Sequence, residues 1–126
     1  MMSPTHAPGY VKNPDHTVRI VPSAERVRAV FAGTVIGETL KALRVEETGY
    51  PPVYYLPRGD LRMTLLSPTE KTSHCPFKGD ASYWAVSSEH ARAENAAWSY
   101  DDPYIECRAL SGHIAFYPDK VTIEVG

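Results

Sequence analysis

Prolines and glycines break this chain into short segments, and this pattern constrains the fold more than any other feature of the sequence. The 126 residues include eleven prolines and eight glycines. Between these breaks, apolar and polar residues mostly alternate with a period of two, as they do in strands with one buried face. We therefore predict a mainly β protein, a single small domain of short antiparallel strands with at most one or two short helical turns.

Two hairpins can be predicted from the alternation. Val27, Ala29 and Phe31 alternate with other residues until Gly33 permits a tight reversal, so residues 34–38 are expected to form the returning strand. Residues 121–125 also alternate, and the dipeptide Pro118-Asp119 supplies a turn after residues 113–117. This second pattern predicts a hairpin made of the last two strands.

The segment from Ser88 to Ala97 supports two interpretations. Its sequence, SEHARAENAA, is rich in helix-forming residues behind a candidate Ser88 N-cap, which favours a helix. Residues 81–86 and 98–100 on either side are typical of strands, which favours a hairpin across residues 87–90. We favour the hairpin, because tertiary pairing commonly overrides local propensity.

Composition limits the size, the partners and the compartment. Hydrophobic residues make up 43% of the chain and charged residues 22%, as is usual for one globular domain. The net charge of −2 provides no general attraction to nucleic acid or anionic lipid. Neither a secretory signal nor a membrane-spanning run is evident, and two cysteines make no disulfide framework, so a cytoplasmic protein is expected. Residues 1–16 are predicted to form a flexible or loosely docked arm, and residues 17–126 the domain.

The stretch TSHCPFKGDASY, from Thr72 to Tyr83, is the strongest candidate for a functional site. Its turn formers, Pro76 and Gly79, can direct Cys75 and Lys78 into one space. Cys75 is a candidate nucleophile or redox thiol, with Lys78 or His74 as its activator, although a small buried cysteine is the plainer interpretation. Gly79 is expected to have a positive φ, and Lys78 either binds an anionic group or is a solvated turn residue.

Aromatic and charged residues elsewhere supply the other candidates. Trp98 and Tyr100 are two positions apart and so share one face of a strand, where together with Tyr55 they can wall a cavity for a flat or cationic ligand. Packing in a core is the alternative for these rings. Arg62 can bind a carboxylate or phosphate, or else pair with Asp60, as can Arg58. Glu46 is either a polar group of the pocket or a surface residue.

Four ordered blocks of sequence resemble the domain-of-unknown-function family 427, DUF427. They are GYPPVYYLPRGDLRM (Gly49 to Met63), CPFKGDASYW (Cys75 to Trp84), NAAWSYDDP (Asn95 to Pro103) and GHIAFYPDKV (Gly112 to Val121). The similarity covers nearly the whole chain from about Thr17 onward. It implies a small bacterial or fungal β domain of the β-tent type, which is also found in methionine sulfoxide reductase B and yippee proteins. It implies no established activity.

The family has also carried a nucleotidyltransferase-like label, which the residues support poorly. Nucleotidyl transfer needs clustered carboxylates that hold metal ions against a triphosphate. Here Asp101-Asp102 runs into Pro103, Asp60 has no acidic neighbour in sequence, and no phosphate-binding glycine loop occurs.

A zinc site made of His74, Cys75, Cys107 and His113 can be written down, but its spacing matches no usual pattern. We therefore expect no metal and no cofactor.

Three functions remain open at the level of sequence. The leading one is binding of a small anionic or aromatic metabolite in a pocket framed by the Tyr55–Arg62 loop, the Thr72–Gly79 turn and the Trp98–Tyr100 strand. The expected ligand-binding residues are Tyr55, Arg62, Thr72, His74, Lys78, Trp98 and Tyr100. One alternative is an enzyme, either one in which Cys75 and Lys78 are catalytic or one with the nucleotidyltransferase-like activity that the family label suggests. The other is a protein-interaction module with exposed aromatic anchors. The sequence leaves both a monomer and a homodimer open.

Overall fold

The computed structural model describes residues 5–126, and over that range it contains ten strands in two antiparallel sheets. The mainly β prediction is therefore confirmed. The strands are β1 (Val18–Pro22), β2 (Val27–Phe31), β3 (Thr34–Thr39), β4 (Leu43–Glu47), β5 (Val53–Pro57), β6 (Leu66–Cys75), β7 (Gly79–Ser87), β8 (Arg92–Ser99), β9 (His113–Phe116) and β10 (Thr122–Val125). Helical segments are short: an α-helix α1 (Gly9–Lys12) and 3₁₀ segments at Arg58–Asp60, Met63–Leu65 and Ile105–Leu110.

The larger sheet has seven strands in the order β1-β4-β5-β9-β8-β7-β6, and the smaller has three in the order β10-β2-β3. The hairpin predicted around Gly33 is confirmed. Ala32 and Gly33 have φ angles of 48° and 78°, and two successive positive values suit the twist of a tight hairpin. The β7–β8 hairpin is also confirmed, and the alternative of a helix at residues 88–97 is wrong. Residues of the two strands pair in register, with Tyr83 opposite Trp98, for example.

The predicted hairpin of the last two strands is wrong. β9 lies inside the larger sheet between β5 and β8, whereas β10 pairs with β2 in the smaller sheet. A turn after Tyr117, closed by a 2.9 Å bond from the Val121 amide to the Tyr117 carbonyl, carries the chain from one sheet to the other. Alternation within a strand specifies its buried face but not its partner, so the pattern alone could not exclude this arrangement.

Period-two alternation gives the larger sheet two different buried faces. One face packs against the smaller sheet and includes Leu56, Trp84 and Phe116. Their neighbours in sequence, Tyr55, Tyr83 and Tyr117, point to the opposite face, where a second cluster includes Cys107 and Leu110 of the last 3₁₀ segment. Adjacent aromatic residues are thus divided between two clusters, and the second cluster positions the candidate site.

The segment before β1 packs against the domain as far as it is described. The Gly9 amide donates a 3.0 Å hydrogen bond to the Pro76 carbonyl, and the Ile105 amide donates one of 2.8 Å to the Thr5 carbonyl. The Ala7 amide donates to a Glu106 carboxylate oxygen at 2.8 Å. These bonds dock residues 5–9 against the β6–β7 turn and the last 3₁₀ segment. That residues 1–16 form a flexible or loosely docked arm stays a prediction. Residues 1–4 of that predicted arm lie outside the described residues.

Candidate functional site

A cavity of about 340 Å³ opens on the second face of the larger sheet. Its size lies within the range of roughly 300–1,000 Å³ that is usual for small-molecule sites. Strands β4, β5, β7 and β8, together with the β6–β7 turn, supply most of its wall. Aromatic side chains dominate the lining: Tyr50, Tyr55, Tyr83, Trp98, Tyr100 and Tyr117. The aliphatic part of the wall is made by Val45, Pro51 and Val53.

A buried ion pair lies in the wall of this cavity. The Lys78 ammonium donates a short hydrogen bond to Glu47 Oε1, and the side chains of Lys78 and Glu47 are only 8% and 13% exposed. The other carboxylate oxygen of Glu47 lies 2.9 Å from Nε2 of His16, whose side chain is 16% exposed. One carboxylate is therefore shared between an ammonium that faces the cavity and an imidazole behind it.

The ring of Phe77 positions His16 in this group. The imidazole stacks on that ring with a centroid distance of 4.0 Å and an interplanar angle of 19°. Tyr10 meets the same ring edge-on at 5.0 Å, and a Cβ added to Gly9 would lie 2.6 Å from it. Only a residue without a side chain fits at position 9, so the backbone of α1 can approach the ring of Phe77 closely.

The turn between β6 and β7 explains why Lys78 is buried. Cys75 and Gly79 form the last residue pair of the two strands, and Gly79 has the predicted positive φ, at 122°. The Tyr104 amide donates a 2.9 Å hydrogen bond to the Lys78 carbonyl, which fixes the backbone at this point. The Lys78 side chain consequently points into the cavity instead of into solvent. The alternative of a solvated turn lysine is wrong.

The aromatic wall is held together by contacts among its own members. The Trp98 indole N–H donates to the Tyr55 hydroxyl at 3.1 Å, and the ring of Trp98 lies 4.5 Å from that of Tyr117. Burial raises the pKa values of Tyr55 and Tyr100 well above that of a free tyrosine. Burial and the nearby Tyr83 hydroxyl raise the pKa of Tyr117 to about 12. These phenols remain neutral near physiological pH and present hydroxyl groups that can donate or accept hydrogen bonds.

The two cysteines occupy different environments. Cys75 is half-buried and lines the cavity near Lys78. Cys107 is fully buried, and its thiol lies 3.5 Å from the Phe77 carbonyl, within range of a weak hydrogen bond. Burial raises the pKa of Cys107 to about 11, so that thiol is protonated and shielded at neutral pH. Only Cys75 is placed to meet a bound molecule.

Five of the residues predicted to form the site therefore meet at one cavity: Tyr55, Cys75, Lys78, Trp98 and Tyr100. Thr72 and His74 do not reach it. Thr72 is exposed on the edge strand β6, and His74 lies 2.7 Å from an Asp80 carboxylate oxygen in solvent. Because side chains alternate along a strand, His74 faces away from its neighbour Cys75. The predicted activation of Cys75 by His74 is therefore not available in this geometry.

Arg62 also lies away from the cavity. Its amide donates a 2.7 Å hydrogen bond to the Ile36 carbonyl, and its guanidinium lies 3.5 Å from the Val35 carbonyl, beside the smaller sheet. The reason is that the segment from Tyr55 to Arg62 is not one loop: β5 continues to Pro57 and 3₁₀ segments follow. Asp60 accepts a 2.7 Å hydrogen bond from the Thr39 hydroxyl and forms no ion pair with either arginine within residues 5–126.

Sequence reasoning missed Glu47 and three tyrosines of the wall, Tyr50, Tyr83 and Tyr117. It considered Glu46 instead, but the Glu46 carboxylate lies 3.3 Å from Arg19 and 3.2 Å from Arg44, on the opposite face of β4. Alternation places Glu47 on the face of Val45 and Glu46 on that of Arg44, but it does not show which face lines a cavity. The signal that could have identified Glu47 is its ion pair with Lys78. Recognising that pair from the sequence requires the strand order, which shows that β4 lies near the β6–β7 turn.

Two further findings concern metal ligands and membrane-spanning helices. Within residues 5–126, no three His, Cys, Asp or Glu side chains lie close enough together to hold a metal ion. The carboxylate cluster that nucleotidyl transfer requires is thus not found in that part of the chain. No helix described by the structure has the length and apolar character needed to cross a membrane.

The comparisons with known proteins identify a family but no activity. No curated protein gives a significant match to the chain. One family, described as Domain of unknown function (DUF427), matches residues 19–126, which is well over half of the chain and includes every strand from β2 to β10. The match agrees with the resemblance carried by the four sequence blocks. This chain therefore belongs to the DUF427 family.

Proposed function

We propose that this protein binds a small, flat aromatic molecule in the cavity of the larger sheet. The observation that carries the proposal is the lining itself, in which six aromatic side chains surround a space of about 340 Å³. Rings of this kind gain energy from offset or edge-on contacts with another ring, in addition to the burial of apolar area. A cavity of this size accommodates one or two fused rings with a polar substituent.

Polar groups in the wall support a defined orientation for such a molecule. The ammonium of Lys78 has three N–H donors, and Glu47 is the one side-chain acceptor that it reaches within residues 5–126. Because Lys78 lines the cavity, its remaining donors are available to a partner there. The ring of a ligand would then lie against Trp98, Tyr100 and Tyr55, with its polar substituent at Lys78.

A cavity-filling variant tests the proposal. Val53 lines the cavity and is half-buried, so Val53→Phe should occupy part of the space without removing any polar group. Val35 is exposed on β3 in the other sheet, so Val35→Phe is the matched control. Isothermal titration with neutral aromatic compounds such as indole and benzamide should detect binding to the native chain and to Val35→Phe. Binding to Val53→Phe should be weaker by at least about tenfold, a loss of about 1.4 kcal/mol.

Two results would count against the proposal. The first is that neither the native protein nor Val35→Phe binds any of these compounds. The second is that Val53→Phe binds them as well as the native protein does, provided that thermal unfolding shows both variants to be folded. Trp98 gives an independent signal, since a ligand against its ring should change its emission, whereas Trp84 faces the other side of the sheet.

A thiol enzyme is a second candidate, favoured by the position of Cys75 in the same cavity as Lys78. An activated thiolate would attack the carbonyl carbon of an aromatic ester such as phenyl acetate, the phenol would leave, and an acyl group would remain on sulfur. Intact-mass analysis would detect that acyl adduct. The adduct should be lost in Cys75→Ser, while affinity for indole should be kept. The absence of an adduct on the native protein would exclude this reactivity and leave the binding proposal unaffected.

A further inference from the structure

We propose that the preferred ligands are aromatic carboxylates, and that each is bound together with one proton taken up by His16. This inference rests on the proposed function, because it names the chemical class of the ligand for that cavity. It assigns His16 a role in specificity although the side chain lies behind the cavity wall. The basis is the sharing of the Glu47 carboxylate between Lys78 and His16.

The charge of this group of three side chains is balanced when the His16 imidazole is neutral. With His16 neutral, the negative charge of Glu47 cancels the positive charge of Lys78. All three side chains are at least 84% buried, since the most exposed of them, that of His16, is 16% exposed. Unbalanced charge in such surroundings is costly, because burial removes the water that would otherwise solvate it.

A ligand carboxylate at Lys78 would disturb this balance. Its negative charge would make the group and the ligand together −1, with two carboxylates competing for one ammonium. Protonation of His16 at its other ring nitrogen restores neutrality, because imidazolium is positive and its Nε2–H still donates to the Glu47 oxygen 2.9 Å away, now as a charged donor. Glu47 thereby gains a second cationic partner, and Lys78 is free to direct its remaining donors at the ligand.

The other titratable groups around His16 do not provide an alternative partner for that proton. Lys12 and Asp15 line a shallow depression together with His16 and Thr48, but both are exposed and opposite in charge. Tyr10 of α1 contacts Phe77 edge-on, and Phe77, which lies against His16, carries no charge. Glu47 is therefore the buried charge that governs protonation of His16.

The direction of the pH dependence follows from this linkage. Binding of the carboxylate favours the protonated form of His16, so the complex holds more protons than the free protein. Affinity for the acid must then rise as the pH falls through the interval in which histidine titrates, between about pH 8 and about pH 5. Uptake of one proton gives at most a tenfold change in affinity per pH unit. A neutral ligand in the same cavity causes no uptake and shows no such slope.

Pairs of acids and their neutral amides separate these cases. Suitable pairs are benzoate with benzamide, phenylacetate with phenylacetamide, and indole-3-acetate with indole-3-acetamide. Calorimetric titration in two buffers with different ionisation enthalpies measures the number of protons taken up. We expect at least one acid to bind with uptake approaching one proton near about pH 8, and to bind roughly tenfold more tightly for each pH unit below that until His16 is protonated in the free protein. Its amide should bind with no uptake.

Two substitutions of His16 assign the proton. His16→Gln cannot be protonated, so proton uptake and the pH slope should disappear and the acid should bind weakly throughout. His16→Arg is always charged and can stack on Phe77 as the imidazole does, so it should bind the acid tightly even at about pH 8, again without uptake. His74→Gln, which alters an exposed histidine outside the cavity, should behave as the native protein does.

The outcomes distinguish this inference from the function on which it rests. Binding of an acid without proton uptake, or uptake that persists in His16→Gln, would overturn the role of His16 and leave the cavity as a binding site. Binding of amides alone would overturn the preference for carboxylates and likewise leave the cavity standing. Binding of neither acids nor amides would refute the proposed function, and this inference with it.

Discussion

Removal of the Glu47 charge tests the structure most directly. Glu47→Gln keeps the size of the side chain and still offers an oxygen to Lys78, but it leaves the buried ammonium without a counter-charge. Breaking a buried ion pair by removing one partner typically costs about 3–5 kcal/mol. The cavity allows some water to reach Lys78, which is 8% exposed, so we expect the lower end, about 3 kcal/mol.

Glu46 provides a matched control on the same strand. Its carboxylate is more exposed, at 35%, and its partners Arg19 and Arg44 are 75% and 34% exposed. Exposed pairs of this kind contribute at most about 1 kcal/mol, so Glu46→Gln should change the stability little. The two substitutions are chemically identical and differ only in the face of β4 that they alter.

Urea unfolding followed by circular dichroism measures both effects. With a slope of about 1.5 kcal/mol per molar urea, a loss of 3 kcal/mol lowers the unfolding midpoint of Glu47→Gln by about 2 M. The midpoint of Glu46→Gln should fall by less than about 0.7 M. Equal midpoints for the two variants would refute the reasoning, because they would mean that the Glu47 charge contributes no more to stability than one in solvent.

Three further predictions concern the cysteines and the glycines. Iodoacetamide at neutral pH should alkylate Cys75 faster than the buried Cys107, as peptide mass mapping would show; equal, slow labelling of both would contradict the cavity position of Cys75. Burial raises the pKa of Cys107 to about 11, so the thiol of the unfolded chain loses its proton at a lower pH than the thiol of the folded chain. The free energy of unfolding should therefore fall as the pH rises from about 9 to about 11, and it should fall measurably less in Cys107→Ala. Gly37→Ala should lower stability by about 1–3 kcal/mol in thermal unfolding, since the added Cβ would lie 2.5 Å from Leu61, whereas Gly59→Ala, which meets nothing within 4 Å, should be close to neutral.

Local patterns in the sequence predict strands well but leave their partners open. The β2–β3 hairpin was predictable because Gly33 lies at a turn whose geometry selects glycine. The β7–β8 hairpin was predictable because apolar flanks outweighed the helix propensity between them. The partner of β10 was not predictable, since its alternation suits any strand that offers an apolar face, and β2 rather than β9 offers the available edge.

The same limit separates the parts of the candidate site that the sequence predicted from those it missed. Trp98 and Tyr100 share a face by spacing alone, and Cys75 and Lys78 are brought together by the turn that follows β6. Arg62 could not be excluded, because the 3₁₀ segments that carry it toward the smaller sheet leave no periodic signal. Spacing places Glu47 on the face of Val45, but the residues that this face meets are known only when β4 is placed beside β5, which is a long-range property of the sheet.

The pairing of β10 with β2 has a consequence for how the protein is made. Arg28 and Glu124, which hydrogen-bond across these strands, are 96 positions apart in the chain. At a translation rate of roughly 5–20 residues per second, β2 leaves the ribosome about 5–20 s before β10 does. During that interval one edge of β2 is open to other extended chains. A nascent chain stalled before β10 should therefore bind chaperones, and the finished protein should release them.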